Sequence, residues 1–165
     1  MSVTMTDASP VAVTALKEAV GSFPSGVTVV STNDGGADYA MTISAFCSVS
    51  LHPPMVLVCV DNNSKTLPHF APGAQVGISV LAQGHHQLAL HFARYGADRF
   101  AQVPHYRDKG VCFVEGAAAT LHGTVHDWCD GGDHRIVTIR VDECAANGDI
   151  TPLHYERGQL EGLLH

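Results

Sequence analysis

The chain has 165 residues, is 45% hydrophobic and 15% charged, and carries a formal net charge of −7. Its length and apolar content suit one folded domain with a real core and exclude a disordered chain. The acidic balance, with no Lys/Arg cluster, argues against nucleic acid as the main partner, and no apolar run approaches the ~18–20 residues of a membrane span.

Residues 1–8 read as a loose tail and residues 9–165 as a single domain. No basic segment followed by an apolar core opens the chain, so no secretory signal is expected. Five cysteines, an odd number without a CxxC, fit a reduced, cytoplasmic setting in which most thiols are small core residues.

Ser9-Pro10 offers an N-cap and a proline at the first helical position. Val13, Leu16 and Val20 share one face, which predicts an amphipathic helix over Pro10–Val20 closed by Gly21. Val27, Val29 and Val30 predict a strand, and Asn33-Asp34-Gly35-Gly36 a hairpin turn after it. Next comes Ala40–Asp61, read as two strands joined at Pro53-Pro54, which forbid a helix through the join. The first, Ala40–Ser50, alternates Thr42, Ser44, Ser48 and Ser50 with Ile43, Phe46 and Val49. That alternation fits one face in a core and one lining a polar site. The second, Met55–Val60, is a continuous apolar run and predicts a strand buried on both faces. The polar loop Asp61–Thr66 (DNNSKT) follows directly. A flat apolar ligand with a phosphate tail suits this arrangement.

Leu67–Phe70 reads as a helical turn, Gln75–Leu81 as a strand and Gln87–Tyr95 as a helix ended by Gly96. Ala101–Gly110 reads as irregular. Val114–His126 and Arg135–Cys144 predict two longer strands separated by CDGGDH, and Asn147-Gly148 predicts a hairpin returning through Pro152–Tyr155. Strands joined mostly by turns favour a mainly β, antiparallel barrel with two or three flanking helices over a doubly wound sheet. No GxGxxG follows a strand and no GxxxxGK[ST] occurs, so neither a Rossmann fingerprint nor a P-loop is expected.

Taken in order, Phe23–Ser31 (FPSGVTVVS), Met41–Val60, Ser64-Lys65-Thr66, Gln87–Ala93, Asp98–Phe100 (DRF), Glu115–Ala119 (EGAAA), Gly132–His134 (GDH) and Pro152–Gly158 resemble the short-chain flavin reductase family. The resemblance implies a Greek-key-like split β-barrel, a homodimer, FMN or FAD as the flavin, and NADH or NADPH as the reductant. It also implies a partner, since many members serve a two-component flavin-dependent monooxygenase. Three positions depart from the family pattern. Ala40 stands where glycine is usual, Gly123 where the strand usually carries cysteine, and Ile139 where glycine is common.

Residue by residue, the resemblance implies that Met41, Thr42, Ser44 and Ala45 offer backbone to the flavin ring. Cys59, Val60 and Asp61 end a strand beside that ring, and Ser64, Lys65 and Thr66 hold its phosphate side. Hydroxyls, loop N–H groups and one ammonium neutralise a dianionic phosphate even on an acidic protein. Phe100 is expected near the flavin, and Ser25 and Tyr155 near the nicotinamide. His134 is expected beside both, as a positioning and electrostatic group oriented by Asp133. Hydride transfer needs nicotinamide C4 and flavin N5 stacked at roughly 3–3.5 Å, but no protein acid or base for the hydride itself.

On composition alone these residues have plainer meanings. Thr and Ser are ordinary on a half-exposed strand, DNNSKT is an ordinary surface loop, and Cys59 in an apolar run reads as an inert buried thiol. Leu88 and Phe92 read as core. The eleven histidines raise the question of a metal. His122 and His126 lie on a predicted strand, ~13 Å apart on one face, and no zinc spacing occurs, so no metal is expected. A flavin- or haem-binding split-barrel carrier or sensor without nicotinamide turnover is the main alternative to a reductase. A histidine-rich metal protein is a third reading.

Overall fold

The computed structural model describes residues 11–94 and 99–161. Helix α1 (Val13–Gly21) is followed by β1 (Ser25–Gly26), β2 (Thr28–Asp34), β3 (Ala37–Ile43), β4 (Phe46–Leu51) and β5 (Pro54–Asp61). A 3-10 turn at Leu67–Phe70, β6 (Gln75–Val80), a second 3-10 turn at Gln83–His85 and α2 (His86–Ala93) come next. The chain then forms β7 (His105–Asp108), β8 (Val111–Val114), β9 (Ala119–Gly131), β10 (His134–Ala146), β11 (His154–Glu156) and β12 (Gln159–Glu161). The predicted cap Ser9 and the predicted stop Tyr95-Gly96 lie outside the described residues.

Seven strands form one sheet in the order β3-β2-β6-β9-β10-β5-β4. Every pair in it is antiparallel. The two edges, β3 and β4, are consecutive in the chain and joined only by Ser44-Ala45. So short a connection requires the sheet to curl until its edges meet, which makes it a split barrel. The interior is filled by Val30, Ile43, Val56, Val58, Val60, Val76, Ile78, Val125, Val137 and Ile139. Leu67 and Phe70 join this core from the 3-10 turn, and Trp128 packs against it while its Nε1 donates to the Phe70 carbonyl at 2.7 Å. A bulge at His126 makes this possible, since it shifts the strand's alternation so that Trp128 follows Leu121 and Val125 inward. A second core lies outside β2 and β3, where Val27, Val29 and Ala40 pack with Ala89, Phe92, Phe100, Val103, Cys112, Val114 and Leu153.

Several expectations need correction. The strand read across Ala40–Ser50 is two strands on opposite sheet edges, broken at Ser44-Ala45. β5 is buried on one face only: Val56, Val58 and Val60 point inward, while Met55, Leu57 and Cys59 are half-buried on the outside. The segment read as irregular contains β7 of a hairpin, turned at Lys109-Gly110, both of positive φ. The long strand starts at Ala119 rather than Val114, because Gly116, at φ 70°, turns the chain first. Asn147-Gly148 forms a turn but not the predicted hairpin. β11 leaves the barrel to pair with β1 and β12. The apolar face of α1 is not buried: Val13, Leu16 and Val20 are all exposed.

Candidate functional site

The corner where the barrel edges meet gathers most of the residues singled out above. Cys59 N–H donates to the Ala45 carbonyl at 3.0 Å, which places the Ser44-Ala45 connection against the end of β5. Ser44 is half-buried and Ala45 exposed, so this backbone is covered by small side chains only. Two residues beyond Cys59, Asp61 is the register partner of His134 on β10. Asn62 then joins the loop to the turn at Gly132-Asp133: its N–H donates to the Asp133 carbonyl at 3.0 Å and its Nδ2 to the Gly132 carbonyl at 3.1 Å.

The loop Asp61–Thr66 is largely self-supporting. The Asp61 carboxylate accepts from Asn63 N–H at 2.7 Å, and its carbonyl from Ser64 N–H at 2.9 Å. Ser64 Oγ accepts from Thr66 N–H at 3.2 Å. Ser64 and Thr66 are only 6% and 7% exposed, so they form the loop's floor, while Lys65 stands outside it. The Ser64 hydroxyl hydrogen and the Lys65 ammonium suit a phosphate group.

His134 Nδ1 lies 2.7 Å from Asp133 Oδ1, as expected of an oriented imidazole. Nδ1 is thereby engaged, and Nε2 is the ring nitrogen left to meet another molecule. The hydrogen bond to His134, and then its charge, holds the Asp133 carboxyl below the usual carboxylate range. Burial pushes the Cys59 thiol up, which agrees with an unreactive thiol at the strand end.

Other candidates stand differently. Thr42 Oγ1 donates to the Ala89 carbonyl at 2.6 Å, so its hydroxyl anchors α2 rather than facing a ligand. The Met41 and Val60 side chains belong to the barrel interior, which leaves only their backbone for a cofactor. Phe100 is a core residue, its ring 5.0 Å from Phe92 and 5.1 Å from His105. Arg99 Nη1 donates to the Ala40 and Phe92 carbonyls at 2.9 and 2.6 Å, clamping α2 to β3. Ser25 and Tyr155 are register partners on the small β1-β11-β12 sheet. Among the described residues no hydrogen bond or ring contact ties either to His134. Leu88 and Phe92 pack in the second core, as expected. Among the described residues no cluster of three or more His, Cys, Asp or Glu could hold a metal, and the bulge at His126 breaks the face it was expected to share with His122.

Asn62 is the site residue that sequence reasoning missed. Nothing in DNNSKT distinguishes residue 62 from residue 63. Its role comes from a turn some seventy positions away, brought near by the β5–β10 ladder. A cavity of about 190 Å³ lined by Tyr106, Val114, Ala118, Thr120, Ala146 and Asn147 shares no residue with this corner.

A split barrel with a small-residue backbone edge, a phosphate-suited loop and an oriented histidine at one corner defines a nucleotide- or flavin-binding β-barrel protein. The chain belongs to the flavin reductase like domain family, whose pattern matches residues 20–164. It is 40% identical over 145 residues to the reductase component of 4-nitrophenol 4-monooxygenase/4-nitrocatechol 2-monooxygenase from Rhodococcus opacus, covering 87% of this chain and 77% of that one. It is 37% identical over 145 residues to the reductase component of 4-hydroxyphenylacetate 3-monooxygenase from Thermus thermophilus, covering 87% and 93%. Its fold matches the NADH:FAD oxidoreductase SgcE6 of Streptomyces globisporus, solved with NAD and FAD fragments, at a TM-score of 0.86 and 30% identity over 92% of both chains.

Proposed function

We propose that this chain is an NADH-dependent flavin reductase that supplies reduced flavin to a separate flavin-dependent monooxygenase. The observation that carries the reading is the convergence of Ser44-Ala45, Cys59–Thr66 and His134 on one corner. Relatives named as reductase components of two-component monooxygenases and as NADH-dependent flavin reductases point the same way.

When bound, the flavin supplies the redox chemistry, accepting hydride at N5 from the nicotinamide C4. The chain's own work is to bind and orient. The Ser44-Ala45 backbone meets the ring edge without side-chain bulk. Ser64, Lys65 and Thr66 hold the phosphate side, and His134, fixed through Nδ1 by Asp133, presents Nε2 to the nicotinamide. No side chain has to move a proton for the hydride to pass.

The working form is a homodimer. Cys47 and Val49 on β4 are exposed beside half-buried Met55, Leu57 and Cys59 on β5, which makes an apolar outer face that a second copy would cover. Five free thiols and the absence, among the described residues, of a helix able to span a membrane accord with a cytoplasmic setting.

Anaerobic stopped-flow mixing of protein and flavin with NADH tests the activity: bleaching of the flavin band far above the protein-free rate is expected. Flavin binding without bleaching would favour a carrier. Sedimentation should show a dimer, and Leu57→Glu on that face should shift it toward monomer. A wild-type monomer with full turnover would refute the dimer.

A further inference from the structure

We propose that Asn62 is a positioning residue for NADH, acting through His134, by tying the flavin-phosphate loop to the Gly132-Asp133 turn. The inference rests on the reductase reading above and deepens it.

The turn between β9 and β10 places its two successive carbonyls, Gly132 and Asp133, toward residue 62. Those carbonyls belong to the two peptides that flank Asp133. Asn62 donates to both, with its N–H to Asp133 at 3.0 Å and its Nδ2 to Gly132 at 3.1 Å. A turn whose glycine sits at φ 77° has no side chain of its own to fix the first peptide. With both peptides held, the Cα of Asp133 is held, and so is the carboxylate that orients His134 Nδ1 at 2.7 Å. On the other side, the next four residues close the loop through Asp61 and Ser64. Asn62 therefore supplies the side-chain link between the flavin loop and the histidine turn, beside the backbone pairing of Asp61 with His134. Filling the loop orders the turn, and the ordered turn receives NADH. Flavin and nicotinamide should therefore bind with positive coupling.

Asn62→Ala tests the side chain alone, because the backbone N–H bond to Asp133 remains. The worth of one exposed hydrogen bond predicts a KM for NADH raised roughly two- to tenfold. The flavin Kd measured without NADH, and kcat, should be unchanged. Asn62→Asp keeps the shape but turns an acceptor toward the Gly132 carbonyl, so it should raise KM further. Asn62→Gln retains an amide donor and should recover part of the loss. His134→Ala serves as the control. A raised KM in His134→Ala with a wild-type KM in both Asn62→Ala and Asn62→Asp would overturn the inference and leave the reductase reading standing. Equal losses of flavin affinity and NADH affinity in Asn62→Ala would overturn it in favour of a loop-folding role. Failure of the wild-type protein to oxidise NADH with flavin would remove the reading on which it rests.

Discussion

Two of the departures from the family pattern meet inside the barrel wall, and their meeting predicts a measurable coupling. A Cβ at Gly123 would stand 2.3 Å from the Arg140 carbonyl oxygen and 2.8 Å from Ile139 Cγ2. Ile139 is 1% exposed, so it occupies volume that a side chain at 123 would otherwise take. Gly123→Cys alone should overpack the wall and cost about 1–3 kcal/mol. For a chain of this length that is a fall of about 3–10 °C in the thermal midpoint. The upper end is expected, because the nearest atom belongs to backbone at the Asp142 bulge, which no rotamer change relieves. Ile139→Gly alone empties a core site and should cost about 4–5 kcal/mol. Together the two changes exchange volumes, and the double variant should be at least about 1 kcal/mol more stable than the sum predicts. Full rescue is not expected, since the Arg140 carbonyl stays in place. Urea unfolding of the four proteins in one buffer measures the cycle. Additivity within about 0.3–0.5 kcal/mol would show that the two positions do not share this space.

Three further outcomes follow from the site and its supports. His134→Ala should raise the KM for NADH while leaving flavin affinity near wild type; equal loss of both in steady-state and fluorescence titrations would mark a structural role. Burial pulls the Asp38 carboxyl up, but hydrogen bonds from Arg107 and Asn33 and the Arg107 charge outweigh it and hold it below 3.8. The carboxylate's contribution to stability is therefore complete above about pH 4 and lost as pH falls through the lowered value. Melting scans should show a shallower acid limb in Asp38→Asn than in wild type; identical limbs would refute the pairing. Burial first, and then the Asp38 carboxylate, pushes the Cys112 thiol up to about 11. Thiol titration of the native protein near neutral pH should find Cys129 and Cys144 fast, Cys47 slowed by the second copy, Cys59 slower and further slowed by flavin, and Cys112 silent until unfolding. Prompt labelling of Cys112 would contradict the packing of β8 against β2 and β6.

The elements fixed by local chemistry were readable in the sequence, and those fixed by distant partners were not. Leu67–Phe70, the Gly35-Gly36 hairpin and β6 fall where their own residues put them. Ala40–Ser50 reads as one strand because its alternation continues across Ser44-Ala45. Only closure of the sheet demands a break there, and closure is a property of seven strands together. β5 failed for a related reason. MVLVCV says that both faces avoid water without saying whether the second is covered by this chain or by another copy. The same ambiguity explains α1, whose apolar face is evident in the sequence and exposed on the single chain.

The site divides along that line too. Small and hydroxyl residues announce a strand suited to ligand, but the strand's tilt decides which are used. Thr42 is taken by α2 and Phe100 by the second core, while Ser44 and Ala45 sit at the closure point because the barrel must turn there. At the seam that closes the sheet, small side chains leave the backbone approachable between two edges that are not paired to each other. A ligand needing backbone contact along a flat edge has its natural place at that seam. Locating the flavin elsewhere on the barrel, for example by crosslinking to the cavity beside Tyr106, would break the link between closure and function.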